Sequence, residues 1–315
     1  MKRKKIFPFL LIAILGLSAS CSSNSTRSDS KDSVGSKDKV DKNDILTGEM
    51  AVIVDEAEFP IMREQLDVFK SSYTNANVKL IALPEREAIN SLLEGNAAMI
   101  ILARELTKEE NAGFKQRNIT PRVFPVWHDG VVFVNNISSA DTSINVQTLS
   151  SLLKGNDSGK SLVLDNINSS IVRKVKEFTK VNEISSKSVK ALKSSFDVLK
   201  FLETNTEGIG VLSYGQYLDY RRQFGEENKI RILSLQFTDA KGNMVYSKPS
   251  QTTFATDEYP LKTTFYVLNY QPNMGLGIGF SAFLTGDRGQ RVVLKSGLLP
   301  VTMPGREIII RDNIN

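Results

Sequence analysis

The side chains able to do chemistry gather where apolar runs give way to helical patterns. Three such junctions stand out: Asp55-Glu56-Ala57-Glu58-Phe59-Pro60, Ala103-Arg104-Glu105-Leu106-Thr107 and Asp165-Asn166-Ile167-Asn168-Ser169-Ser170. A helix start exposes unpaired N–H groups and about half a positive charge. Three converging starts would make an anion pocket without a metal. Asn and Ser are equally ordinary N-caps, so these junctions alone leave capping and binding both open. Arg104 could grip an oxyanion through two parallel hydrogen bonds, or pair with Glu105 or Glu109. His128 is the single histidine, and no second histidine or further cysteine completes a metal site with it. No Gly-x-Ser-x-Gly elbow supports a serine triad, so His128 reads as structural or as part of a hinge, and Trp127 as packing. Gly275-Leu-Gly-Ile-Gly279 lacks the full dinucleotide fingerprint.

The elements that must carry these junctions alternate between strand and helix. Met50–Val54 is a short apolar strand, and Phe59, Met62, Leu66, Phe69 and Tyr73 follow on one face of an amphipathic helix. Val78–Ala82 reads as a strand, Glu85–Leu93 as a helix and Ala98–Leu102 as a strand buried on both faces. Thr107-Lys-Glu-Glu110 is a capping-box pattern that should open a helix. Val131–Val134 is apolar again. Val146–Leu153 reads as helix, Leu162–Leu164 as strand, and Ile171, Val175 and Phe178 mark a further helix face. Val189–Leu202 reads as one helix, Gly208–Val211 and Ile230–Leu235 as strands. Thr263–Leu268 reads as a strand, Met274–Leu284 and Gly289–Lys295 as helices. This alternation predicts an α/β fold with largely parallel sheets flanked by helices.

The chain has 315 residues, 41% hydrophobic and 24% charged, the profile of a globular protein of one large or two medium domains. Its net charge is +5, but Lys2, Arg3, Lys4 and Lys5 supply four of those charges. The first 20 residues hold no acidic group, so the remainder is close to neutral and gives no basis for nucleic-acid binding. Ile6–Leu17 is too short an apolar run to span a bilayer and, after the basic start, reads as a secretory signal. Leu17-Ser18-Ala19-Ser20-Cys21 resembles a bacterial lipoprotein box. Cys21, the single cysteine, is then the lipidated first residue of the mature chain. Residues 22–46 balance Lys and Arg against Asp with almost no apolar residue, as a flexible tether would.

In order along the chain, several pieces resemble the phosphate-binding proteins of ABC phosphate importers, which have a two-lobed periplasmic-binding-protein-like fold of type II. Phe59-Pro60 resembles the family's first-helix loop, and Ala103-Arg104-Glu105-Leu106-Thr107 its Ser-Arg-Glu-Leu segment. Asp129-Gly130-Val131-Val132 with Asn135 is similar to its crossover strand, and Asn168-Ser169-Ser170-Ile171 stands where it has Gly-Ser-Gly-Thr. Gly208-Ile-Gly-Val211 and Gly297-Leu-Leu-Pro300 match its later strand and its end. The resemblance spans roughly 50–300.

The resemblance implies a membrane-anchored solute-binding protein of the bacterial envelope, facing the periplasm. It would capture phosphate or a related oxyanion for an ABC permease, with no cofactor and no catalytic step. Residues 1–20 would be the signal, 21–46 the lipidated cysteine and tether, 47–134 with 256–315 lobe 1, and 135–255 lobe 2. Closure would turn about crossovers near Val134 and Ala255, and the protein would act as a monomer. The ligand contacts implied are Glu58, Phe59, Arg104, Asn168, Ser169 and Ser170. Three hydroxyl donors of the family are absent, because Glu58, Ala103 and Ile171 replace them. Glu58 then either faces solvent or lines the site, where a carboxylate can accept the proton of hydrogen phosphate. The alternative is a non-transport envelope interaction module on the same fold, its anion site degenerate.

Overall fold

The computed structural model describes residues 44–305 except 157–158. The signal, Cys21 and nearly all of the tether lie outside them. The chain first builds a parallel unit from β1 (Gly48–Asp55), α1 (Phe59–Ser72), β2 (Ala76–Leu83), α2 (Glu85–Leu93) and β3 (Met99–Leu102). In β1 and β3 alternate side chains enter different cores. Val52, Val54, Met99 and Ile101 face one, and Ile53, Ile100 and Leu102 the other. Burial on both faces is why these strands are apolar without a break.

A short α3 (Ala112–Gln116) leads into β4 (Arg122–Asn136), the longest strand at 15 residues. Residues Arg122–Gly130 of β4 pair with a late strand, whereas Val131–Asn136 pair with others. This one strand thus belongs to two sheets. After β4 come β5 (Ser143–Asn145), α4 (Val146–Leu153), β6 (Ser161–Leu164), α5 (Ser170–Thr179) and β7 (Val189–Ala191). The chain continues with α6 (Ser195–Leu202), β8 (Gly208–Ser213), α7 (Tyr214–Phe224), β9 (Ile230–Ile232), β10 (Ser234–Thr238), β11 (Met244–Ser247) and α8 (Gln251–Ala255). The chain then returns through β12 (Lys262–Asn269), α9 (Leu276–Thr285), α10 (Asp287–Ser296) and β13 (Leu299–Pro300).

The strand order is β2-β1-β3-β12-β4-β8-β6-β7, with β9 and β13 also on β4; β11-β10-β5 form a separate small sheet. The outer strands of each half run parallel, but β12 is antiparallel to both β3 and β4, and β4 is antiparallel to β8. Together these form a mixed α/β, two-lobed molecule. Pro125 is tolerated inside β4 because the β12 register shifts there, between Phe265 and Tyr266.

Three local expectations give way. Thr107 and Glu110 do form reciprocal bonds, Thr107 N–H to Glu110 Oε2 at 2.7 Å and Glu110 N–H to Thr107 Oγ1 at 3.2 Å. They close only a turn, and helix begins at Ala112. The stretch expected as one helix from Val189 is strand β7 followed by α6, whose N-cap Ser194 accepts the Asp197 N–H at 3.1 Å. Helix α7, absent from the sequence reading, is opened by a full capping box of Ser213 and Gln216.

Candidate functional site

The three junctions meet between the lobes, but they build two places rather than one. The larger is an open cleft of about 840 Å³. Arg104, in the turn after β3, and α2 form one wall; Asn168, Ser169 and α5 form the other. Ser169 is the N-cap of α5, accepting the Val172 N–H and donating to the Asn166 carbonyl at 2.9 Å. The Arg86 N–H reaches the Asn168 carbonyl at 3.4 Å, so the walls touch at the base of the cleft.

Carboxylates of the protein itself hold the arginines there. Arg104 makes a bidentate pair with Glu110, at 2.8 and 2.9 Å, and a further bond from Nε to Glu85 at 3.1 Å. Its Nη1 also donates to the Glu105 carbonyl at 2.9 Å, so four of the five guanidinium N–H groups are in use. The Glu110 pairing strengthens the proton hold of Arg104 and pulls the Glu110 carboxyl below its usual range. Arg173 of α5 grips Glu85 through Nε and Nη2, both at 2.8 Å, and Glu177 through Nη1 at 2.8 Å. Glu85, 5% exposed at the first turn of α2, is therefore clasped by one arginine from each lobe.

The second place lies deeper and is nearly filled, with room of about 10 Å³, at most one water. Glu58, Asp129, Ser170, Ile171, Ser213 and Thr263 are among its walls. Glu58 does not face solvent. It is 1% exposed and its Oε2 accepts the Trp127 Nε1–H at 2.6 Å, so Trp127 is a hydrogen-bond donor as well as a packing group. Asp129, fully buried at the partner switch of β4, accepts N–H groups from Gly130 at 2.6 Å and from Gly215, at the start of α7, at 3.1 Å. Burial lifts the Glu58 carboxyl well above its usual range, and the neighbouring Asp129 charge adds to this. Burial also pushes Asp129 up to about 6, against the pull of its two N–H donors. The other Glu58 oxygen, Oε1, is buried without a hydrogen-bond partner among the described residues. Beside them burial raises Asp55 to about 7 despite the Ser170 hydroxyl and Ala57 N–H, and raises Glu56 to about 8. Asp165 is also raised by burial.

Of the six residues singled out from the sequence, Arg104, Asn168 and Ser169 line the open cleft, and Glu58 and Ser170 the filled one. Phe59 is the first residue of α1 and lines neither. Sequence reasoning missed Glu85, Arg173 and Asp129. Arg173 had a signal, since it lies one turn from Ser169 on the same helix. His128 shares a 2.9 Å hydrogen bond with Thr264 across β4 and β12, a structural contact; burial and Lys262 lower its pKa. Among the described residues no group of three or more His, Cys, Asp or Glu side chains is placed to hold a metal ion.

A family model described as the PBP superfamily domain matches residues 43–288. A search of curated proteins found no match. Among solved structures, a Clostridium perfringens protein described as a phosphate ABC transporter substrate-binding protein with bound phosphate is 15% identical. The match has a TM-score of 0.65 and covers 81% of this chain and 100% of that one. An ABC-type phosphate transport receptor from Vibrio cholerae is 16% identical, with a TM-score of 0.60, over 79% of this chain and 99% of that one. A Synechocystis CcmR regulatory domain in complex with 2-PG is 14% identical, with a TM-score of 0.52, over 76% and 96%. At these identities the likeness is one of fold, and the fold serves both transport receptors and a regulator.

Proposed function

The chain belongs to the PBP superfamily, and on that premise we propose that it is a solute-binding protein that captures phosphate or a related oxyanion between its lobes and presents it to an ABC permease. One observation carries this reading: Arg104 from the first lobe and Asn168-Ser169 from the second line a single cleft. The capture step is an exchange. A bound anion takes the place of Glu110 or Glu85 on the guanidiniums, and the displaced carboxylate turns to solvent. Pre-aimed donors keep the reorganisation small, and the internal carboxylates set how much affinity remains. The cycle involves binding and release without a covalent step.

The likeness in fold to phosphate transport receptors supports the ligand class; the residues of this cleft support its place. Cys21 serves as the lipidated anchor, with residues 22–46 as the leash, on the periplasmic side of the envelope. No helix among the described residues is long and apolar enough to cross a membrane. The lobes comprise 47–134 with 256–315, and 135–255, and the protein works as a monomer.

Titration calorimetry with phosphate and sulfate tests the reading. Phosphate should bind, and Arg104→Gln should weaken it by about tenfold, roughly 1.4 kcal/mol. Absence of heat and of any rise in melting temperature with both anions and with organic phosphates would sink the reading. The second reading, an envelope interaction module, is favoured by the carboxyl groups of Glu58 and Asp129 filling the deeper place. That outcome of the titration would select it.

A further inference from the structure

The open cleft is much larger than an inorganic oxyanion requires. Its volume of about 840 Å³ lies in the range of pockets that enclose small organic molecules, roughly 300–1,000 Å³. Phosphate alone would occupy a few water volumes of about 30 Å³ each. The lining is also mixed in character. Ile89, Ile167 and Val181 give it apolar wall, and Ile167 is 58% exposed, an uncovered apolar side chain beside Asn168.

The charges sort into two groups. Arg104 and Arg173 are engaged by Glu85, Glu110 and Glu177. Arg86 from α2 and Lys176 and Lys180 from α5 and its C-cap also line the cleft, and none of these three has an ion pair within 4 Å among the described residues. Lys176 lies in the last turn of α5 and Lys180 is the left-handed C-cap that follows it, so both stand at the same end of the helix. The walls hold five basic and three acidic residues, a balance of +2.

We propose that the cleft is built for a phosphomonoester, a phosphate dianion carried on a small organic body, rather than for free phosphate. This rests on the anion-capture reading and narrows it. The phosphoryl group lies toward Arg104 and Asn168, the charge balance of the walls matches a dianion, and the body lies against Ile167 and Val181 within reach of Lys176 and Lys180.

Calorimetry on the full chain tests this with orthophosphate, sn-glycerol 3-phosphate, glucose 6-phosphate, glucose and succinate. At least one ester should bind ten times more tightly than orthophosphate, with glucose and succinate weaker than either. The double variant Lys176→Ala/Lys180→Ala should bring ester and orthophosphate within threefold of each other at an unchanged melting temperature. Ile167→Asn, at an exposed position, should likewise weaken the ester and spare orthophosphate. Orthophosphate binding as tightly as both esters, or succinate more tightly, would overturn the proposal while leaving anion capture standing. Binding of none of the phosphates would remove both.

Discussion

Glu58 and Trp127 illustrate how much a single buried proton decides. The indole N–H holds a carboxyl group beside the Asp129 charge, in a place that offers it almost no water. Trp127→Phe removes that donor and leaves a smaller aromatic ring, so it should cost at least about 1–3 kcal/mol in urea unfolding, the toll of an unpaired buried polar atom with a cavity beside it. The carboxyl groups here have folded-state pKa values above their unfolded ones: about 6 for Asp129, about 7 for Asp55, and raised for Glu58. The folded protein therefore binds more protons than the unfolded chain between about pH 4 and 7. The stabilisation is complete below the unfolded values and is lost as pH rises through 6 and 7. Melting temperature should fall from pH 5 to pH 8, and Glu58→Gln should flatten that slope; a melting temperature that climbs over this interval would contradict the burial of these carboxyl groups. The junction residues were legible because Asp, Asn, Ser and Arg after apolar runs have few roles. The convergence of the Asp55–Glu58 turn with Asp129 and Asp165 was not legible, since these three places lie far apart in sequence and only the sheet order brings them together.

At the scale of elements, the close approach of helices to strands sets the tolerances. Gly130 stands where β4 changes sheets, and a Cβ there would come within 2.8 Å of the Phe254 ring. Gly130→Ala should destabilise by about 1–3 kcal/mol, as overpacking of a closed core does, and thermal unfolding would measure it. Gly210 on β8 is equally constrained, with Leu202 of α6 at 2.6 Å and Val134 of β4 at 2.8 Å from an added Cβ. Most elements could be read from periodicity, and α2 and α4 run over the very residues expected. Helix α7 escaped because Tyr, Gln and Arg give it a weak apolar stripe; its Ser213-to-Gln216 cap was the available sign. The strand β7 was absorbed into a helix because the Val189–Leu202 stretch was read by its apolar content, although Ser194 and Asp197 mark a fresh N-terminus in its middle.

For the whole molecule, the Glu85 clasp joins the lobes without any ligand. Arg173 reaches it from the second lobe and Arg104 from the first, and a buried carboxylate shared by two arginines is a strong but ion-exchangeable link. Glu85→Gln should loosen the contact between the two walls of the cleft, read as a larger radius of gyration in solution scattering. It should also raise phosphate affinity severalfold, because the internal rival for the guanidiniums loses its charge. A weaker phosphate titration in that variant would show that Glu85 positions the arginines rather than competing for them. The α/β class was legible from the order of strands and helices, and the two-lobed plan from the resemblance that the ordered motifs carry. The clasp was not, because Glu85 and Arg173 each look like ordinary surface residues on amphipathic helices.

Strand β12 pairs with β3 on one side and with the first half of β4 on the other, Leu268 against Ile100 and Val123. The opening parallel unit therefore waits for the final quarter of the polypeptide before its sheet is continuous, while β8 joins β4 as soon as it exists and brings β6 and β7 with it. Closing so long a loop is entropically slow. The half that begins the chain is the half completed last, and until then the apolar edge of β3 stays uncovered.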